Sequence, residues 1–211
     1  VQLKELSRQA GISAASIKYY LREGLLQPGR SRHATLAEYG DEHLLRLRLI
    51  HSLRDVVGLS IGKVRTLIQL IHDPQLDFAE LLGKTQSLVL GYDFAETKEH
   101  PLTAAVVQSR SWPDVHTDAR QGLNAQLSQM ESLGLEIRPD LLESYAEAVD
   151  AVARQDISTI TDTGNRDQAV LTVAVGVHQY STLLVRMLAL AQTSASIQAY
   201  GTAGRSEAGR S

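Results

Sequence analysis

The chain contains no cysteine, which excludes thiolate metal sites, iron–sulfur clusters, disulfides and cysteine nucleophiles together. The chemistry left in a recognisable pattern belongs to cations and hydroxyls near the start. Ser13, Ser16, Lys18, Tyr19 and Arg22 fall within one short helical stretch, and Arg30, Arg32 and His33 follow in a segment without helical periodicity that runs to Tyr39. Hydroxyls and cations of this kind donate to phosphate oxygens and base edges. An arginine can clamp a phosphate bidentately, and His33 adds a donor whose charge depends on its surroundings. The same residues also fit a plain helical hairpin with a solvated basic face, followed by a soluble loop. No Gly-rich phosphate loop, Gly-x-Ser-x-Gly elbow or His-Glu-x-x-His is present. The acids are scattered along helices, so the chain reads as a non-enzyme that needs no cofactor.

The elements that must position these residues are short helices punctuated by glycine. Leu3 and Leu6 mark a two-turn helix over residues 2–9, ended at Ala10-Gly11; Ser13 is the N-cap of a second, running to Glu23 and stopped by Gly24. Helix, glycine turn and helix have the spacing of a helix-turn-helix. Ile17, Tyr20 and Leu21 would pack inward on Leu3, Leu6 and Leu25, leaving Ser16, Lys18, Tyr19 and Arg22 on or beside the outer face. Residues 27–39, with Pro28 and Gly29, suit an extended hairpin or wing. Leu44, Leu47, Ile50 and Leu53 then recur as a helix face over residues 41–54, and Ser60 caps a further helix carrying Ile61, Val64, Leu67, Ile68 and Ile71.

Charge divides the chain in two. Residues 1–72 hold 11 Lys or Arg against 6 Asp or Glu, a balance of +5, while the remainder stands at -8 within a total of -3. A basic module joined to an acidic one suggests that only the first meets a polyanion.

The run Leu3-Lys-Glu-Leu-Ser, then Gly11-Ile-Ser, then Ser16-Ile-Lys-Tyr-Tyr-Leu-Arg-Glu-Gly-Leu-Leu26 closely resembles the MerR family of bacterial transcriptional regulators. The likeness continues through Pro28, Arg30, Tyr39, Asp41-Glu-His-Leu-Leu-Arg-Leu-Arg-Leu-Ile50, Gly58-Leu-Ser-Ile61 and Val64-Arg65, and covers about residues 1–72. It implies a winged helix-turn-helix dimer joined by a long antiparallel helix, with Ser16, Lys18 and Tyr19 on the recognition helix. Arg22 would lie near the same backbone, and Arg30, Arg32 and Tyr39 in or near the wing. Proteins like this bind double-stranded promoter DNA and bend and untwist it, so that RNA polymerase engages both promoter elements, which is recognition through deformation as well as base contact. One departure stands out: where the family carries Gly-Tyr-Arg-x-Tyr in the wing, this chain has His33-Ala-Thr-Leu-Ala-Glu-Tyr39, with acidic Glu38 just before the tyrosine. Arg32 is expected to stand in partly for the missing arginine.

Beyond Pro74 the periodicity stays helical, predicting a mainly all-α chain: a DNA-binding domain over residues 1–73, a helical effector-binding and dimerisation domain over 74–200, and a disordered tail over 201–211. Helices are expected over 75–90 (interrupted at Gly83), 102–109, 114–133 with Ala119, Leu123, Leu127, Met130 and Leu133 on one stripe, 139–154 with Leu142, Tyr145, Val149 and Val152, and from a turn at 162–165 to about Ile197. Residues 169–191 have the length of a bilayer span, but Arg186 and several polar residues favour a buried helix, apolar on nearly every side and so core, interface or both. Either this helix or residues 114–133 would join the dimer. Pro74, Gly83, Gly91 and Pro101 interrupt the stretch where the family places that helix, which predicts a different layout. The helical half could enclose a small organic effector among Tyr92, Phe94, Trp112 and Tyr145. His100, His116 and His178 are too scattered for i, i+4 metal ligation. No charged-then-apolar leader opens the chain, so a cytoplasmic homodimer without a membrane anchor is expected. The competing reading is an architectural DNA-binding protein without an effector.

Overall fold

A computed structural model of the chain describes residues 1–33, 36–92, 97–158 and 165–200. Among them the chain is mainly helical, with one two-stranded antiparallel sheet. The first helix, α1 (Leu3–Ala10), ends on Gly11, whose φ of 68° lets its N–H reach back to the Ser7 carbonyl. A Cβ-bearing residue enters that left-handed region only at a cost. Ser13 caps α2 (Ala14–Arg22) by accepting from the Ser16 N–H at 3.0 Å. Strands β1 (Arg30–His33) and β2 (Leu36–Glu38) form the wing, with Arg30 opposite Glu38 in register.

Helix α3 (Asp41–His51) runs on into a π-helical turn, Ser52–Val56, before Gly58, and Ser60 caps α4 (Ile61–His72). Two apolar clusters result. Leu6, Ile12, Ile17, Leu26, Tyr39 and Leu47 hold α1, α2, the wing and α3 together. Leu25, Leu49, Ile50, Leu53 and the α4 stripe form the second cluster, which closes on Leu81, Val170 and Ala174 from far along the chain. Leu25 therefore joins the second cluster, not Leu3 and Leu6, and Tyr20 packs against both.

The rest of the chain builds α5 (Phe78–Leu90), α6 (Pro101–Ser109), α7 (Asp118–Ser132), α8 (Pro139–Ser158) and α9 (Arg166–Tyr200). Three sequence expectations change. First, Gly83 does not interrupt α5, which runs through it to Gly91. Secondly, α7 starts at Asp118 and buries Gln121 and Asn124 along with Leu127, while Leu133 from the expected stripe is exposed. The reason is local: the Gln121 carbonyl oxygen accepts from the Thr97 N–H at 2.9 Å and the Asn124 oxygen from the His100 N–H at 3.1 Å, so two amides satisfy the backbone leading into α6. Thirdly, the last helix is not buried all round. Ala169, Val170, Val173 and Ala174 of α9 are buried, Val170 and Ala174 in the second cluster, with α9 packed against α5 above all, but from Gln179 onward α9 is almost wholly exposed. By length and composition α9 could cross a membrane, yet its start is committed to the core and nine of residues 179–200 are polar or charged. The expected turn at 162–165, apart from Asn165, and the tail at 201–211 lie outside the described residues.

Candidate nucleic-acid interface

The exposed face of α2 is set by what its other face must do. Ile17 is fully buried and Tyr20 and Leu21 are half-buried against the first cluster, so Lys18 and Arg22, one turn apart, point to solvent. Tyr19 is 36% exposed and its ring lies 5.8 Å from that of Tyr20 at a tilt of 56°. Burial raises the Tyr20 hydroxyl above the ordinary tyrosine range, with Asp55 adding to it; Tyr20 is a neutral packing residue. The Ser13 and Ser16 hydroxyls lie 2.8 Å apart at the start of the helix. They are held as a pair, so any phosphate contact they make shares that bond. At the other end, Glu23 accepts from the Arg65 guanidinium, fixing the end of α2 to α4.

A shallow groove of about 360 Å³ runs beside this face, lined by Ala15, Ser16, Tyr19, Tyr20, Arg54 and Ile61. Arg54 and Ile61 are not among the residues expected from sequence at a DNA-facing surface. Arg54 donates to the Leu59 carbonyl at 2.6 Å across the turn between the π-helical segment and α4, bringing a cation beside Tyr19. No local pattern signals this, because the π-helical turn sets the direction of Arg54.

In the wing, Arg30 is exposed at the start of β1. Glu38 occupies the cross-strand position opposite it, an arrangement in which opposite charges support a sheet. The side chains of Arg32 and His33 lie outside the described residues, although their backbones form β1. Tyr39 is 7% exposed, with its ring edge-on to His43 at 5.1 Å and its N–H donated to the Val1 carbonyl at 2.8 Å. It anchors the base of the wing from inside; it does not reach outward. Gly29 precedes β1 where a Cβ would come within 2.7 Å of the Glu38 carbonyl oxygen, so the hairpin closes only on glycine there.

The head is clamped to the start of α9. Arg46 donates to both carboxylate oxygens of Asp167, at 2.6 and 2.8 Å, and both side chains are largely buried. In the opposite sense, Arg166 donates to the Leu70 and Leu76 carbonyls at 3.3 and 3.2 Å. His72 sits 3.1 Å from the Arg46 guanidinium. Burial first, then that cation, hold its imidazole below the ordinary 6.5, with Asp167 opposing. These partners are up to 121 residues apart in sequence and share no motif.

The residues expected to line an effector site are not brought together in the cavities described here. Tyr92 follows the end of α5, and Trp112 donates its indole N–H to Asp150 at 2.8 Å, which holds that carboxyl below the usual range with help from Arg154. Tyr145 is 48% exposed on α8, and Phe94 lies outside the described residues. Among the histidines, His100 is buried and caps α6, His116 meets Gln121, and His178 is half-buried on α9. Among the described residues, no three His, Asp or Glu side chains are grouped to hold a metal ion.

Comparison with known proteins places this geometry. Residues 1–71 match the sequence profile of the MerR HTH family regulatory proteins. Over 73 residues the chain is 30% identical to the heavy metal-dependent transcription regulator 2 of Rhizobium meliloti, covering 35% of this chain and 49% of that protein. Over 100 residues it is 25% identical to the HTH-type transcriptional regulator CueR of Escherichia coli, covering 47% of this chain and 70% of the relative. The chain thus spans about half the length of the first of these curated relatives. A crystal structure of the candidate transcriptional regulator SCO5550 from Streptomyces coelicolor A3(2) superposes with a TM-score of 0.64 at 28% identity, over 95% of this chain and 98% of that one.

Proposed function

In its first 71 residues the chain is a member of the MerR family of helix-turn-helix regulators, and from that premise we propose that it is a dimer that reads and distorts promoter DNA. It is a transcriptional regulator, not an enzyme. In this reading, residues 1–73 contact DNA and residues 74–200 carry the dimer helix and an effector site, acting in the bacterial cytoplasm with RNA polymerase recruited to the distorted promoter. The observation that carries the reading is the exposed α2 face: Lys18 and Arg22 point to solvent, with Tyr19 partly exposed beside them, on a helix whose opposite side is locked by Ile17. Lys18 and Arg22 meet phosphates, and Tyr19 and Ser16 sit at base edges, with Arg30, Arg32 and His33 following the adjacent backbone.

A gel-shift titration tests this. Lys18→Ala and Arg22→Ala each weaken operator binding and lower the slope of log affinity against log salt by about one. Unchanged affinity and slope for both variants would remove α2 from the interface. Binding that is salt-dependent but indifferent to sequence would favour the architectural reading instead.

The dimer element is α9. Beyond the core, Tyr180, Leu183, Met187, Leu190 and Ile197 recur at spacings of three, four, three and seven, which is a coiled-coil seam, and all five are exposed in the single chain. The effector is a small organic molecule. The name of one relative records heavy-metal dependence for that protein, but this chain has no cysteine, and among its described residues no three His, Asp or Glu are grouped to hold a metal. Thermal-shift screening of the full chain gives stabilisation by organic compounds; a response confined to divalent metals contradicts the assignment.

A further inference from the structure

Among the described residues, two apolar surfaces on different helices are exposed. On α8, Ala146 is buried and Leu142 half-buried where the helix packs on α6. Leu141, Tyr145, Val149 and Val152, at spacings of four, four and three, form the rest of the same apolar band and stay open, Leu141 and Tyr145 each 48% exposed. A helix with an apolar band of this width normally buries all of it. On α9, the seam described above is flanked by a second stripe, Leu184, Leu188, Ala191 and Ala195, again at spacings of four, three and four and again exposed. A two-stranded coil covers one stripe, so pairing α9 with its copy leaves the flank in water.

Resting on the dimer reading, we infer that the α8 band of one protomer is the seat for the flanking stripe of its partner's α9. Three features fit a second copy as the occupant. The two surfaces match in chemistry: neither stripe carries a charge, and the alanines of α9 leave room for the bulk of Tyr145 and Val149. They also match in reach. In an antiparallel pair centred near Met187, the end of the partner's α9 runs back toward the start of the first protomer's α9. The end of α8 is tethered there by only residues 159–165, seven residues that span at most about 25 Å. Finally, a symmetric dimer forms the contact twice. Nine large apolar residues of α9 beyond Gln179 are exposed, from Tyr180 to Tyr200, and the α8 bands add to them toward the roughly 800 Å² per partner of a stable interface. The two protomers are then joined by α8–α9 contacts in both directions as well as by the α9 seam, so a change in the helical half moves the partner's reading head.

The absence of cysteine makes the test clean. Val149→Cys is placed in one preparation of the full chain and Ala195→Cys in a second, tagged to differ in size. The two are mixed under exchange conditions, oxidised or treated with a short bis-maleimide, and run on a non-reducing gel, with sedimentation giving the oligomeric state in parallel. The expected result is a dimer with a mixed cross-linked band, absent when Lys98→Cys, on an exposed loop residue, replaces Val149→Cys. In a second arm, Val149→Glu keeps its helical circular dichroism and raises the dimer Kd at least about tenfold. A dimer with no mixed band and an unchanged Kd for Val149→Glu would overturn the α8 seat while leaving the dimer reading intact. A chain that stays monomeric at all concentrations would overturn both.

Discussion

His72 shows how one side chain ties the winged N-terminal head to the rest of the molecule. Its Nε2 lies 3.1 Å from the Arg46 guanidinium; accepting from that cation requires the nitrogen to be unprotonated. Because burial and Arg46 lower its folded-state value, the unfolded chain takes up the proton at higher pH than the folded one. The contribution of this contact is therefore complete above the unfolded value of 6.5 and is lost as pH falls through the lower folded value. Thermal unfolding compared at about pH 7.5 and pH 5.5 should show a larger loss for the native chain than for His72→Gln, which keeps an acceptor without the titration. Equal losses would show that His72 does not report on the clamp. Residues of this kind were invisible to sequence reasoning because Arg46, His72 and Asp167 come from three separate elements. Lys18, Tyr19 and Arg22, in contrast, were legible because their exposure follows from local helix geometry and from Ile17 taking the inner side.

Among the elements, those whose ends are chemically marked were readable. Gly11, Ser13 and Ser60 mark boundaries that the structure places at the same residues. The failures came where tertiary structure overrode a local signal. Gly83 is a weak helix former, but α5 is held on both sides of it by buried Leu81 and Thr85 and runs straight through. No atom lies within 4 Å of a Cβ built there, so Gly83→Ala should stabilise the fold by about 0.5–1 kcal/mol by propensity alone. Chemical denaturation measures this, and a destabilised variant would mean that the site is already strained or covered. The α7 stripe misled for a different reason: apolar spacing cannot reveal that Gln121 and Asn124 are required inward to satisfy the backbone at Thr97 and His100.

At the scale of the whole molecule, the uneven charge sets a basic first third against an acidic remainder, and the long apolar helix, expected to be buried, is exposed over most of its length. The residues after α4 fold into the 13-residue α5, and α9 returns to the core beside α4 and α5, clamped by Arg46–Asp167. On the proposed function, the N-terminal head reads DNA sequence as a symmetric pair. Selection of the full chain against a pool of random duplexes, sequenced after successive rounds, tests it most directly. Enrichment of one inverted repeat is expected, lost for Lys18→Ala with Arg22→Ala. A pool that stays random, with retention set by salt alone, would contradict it.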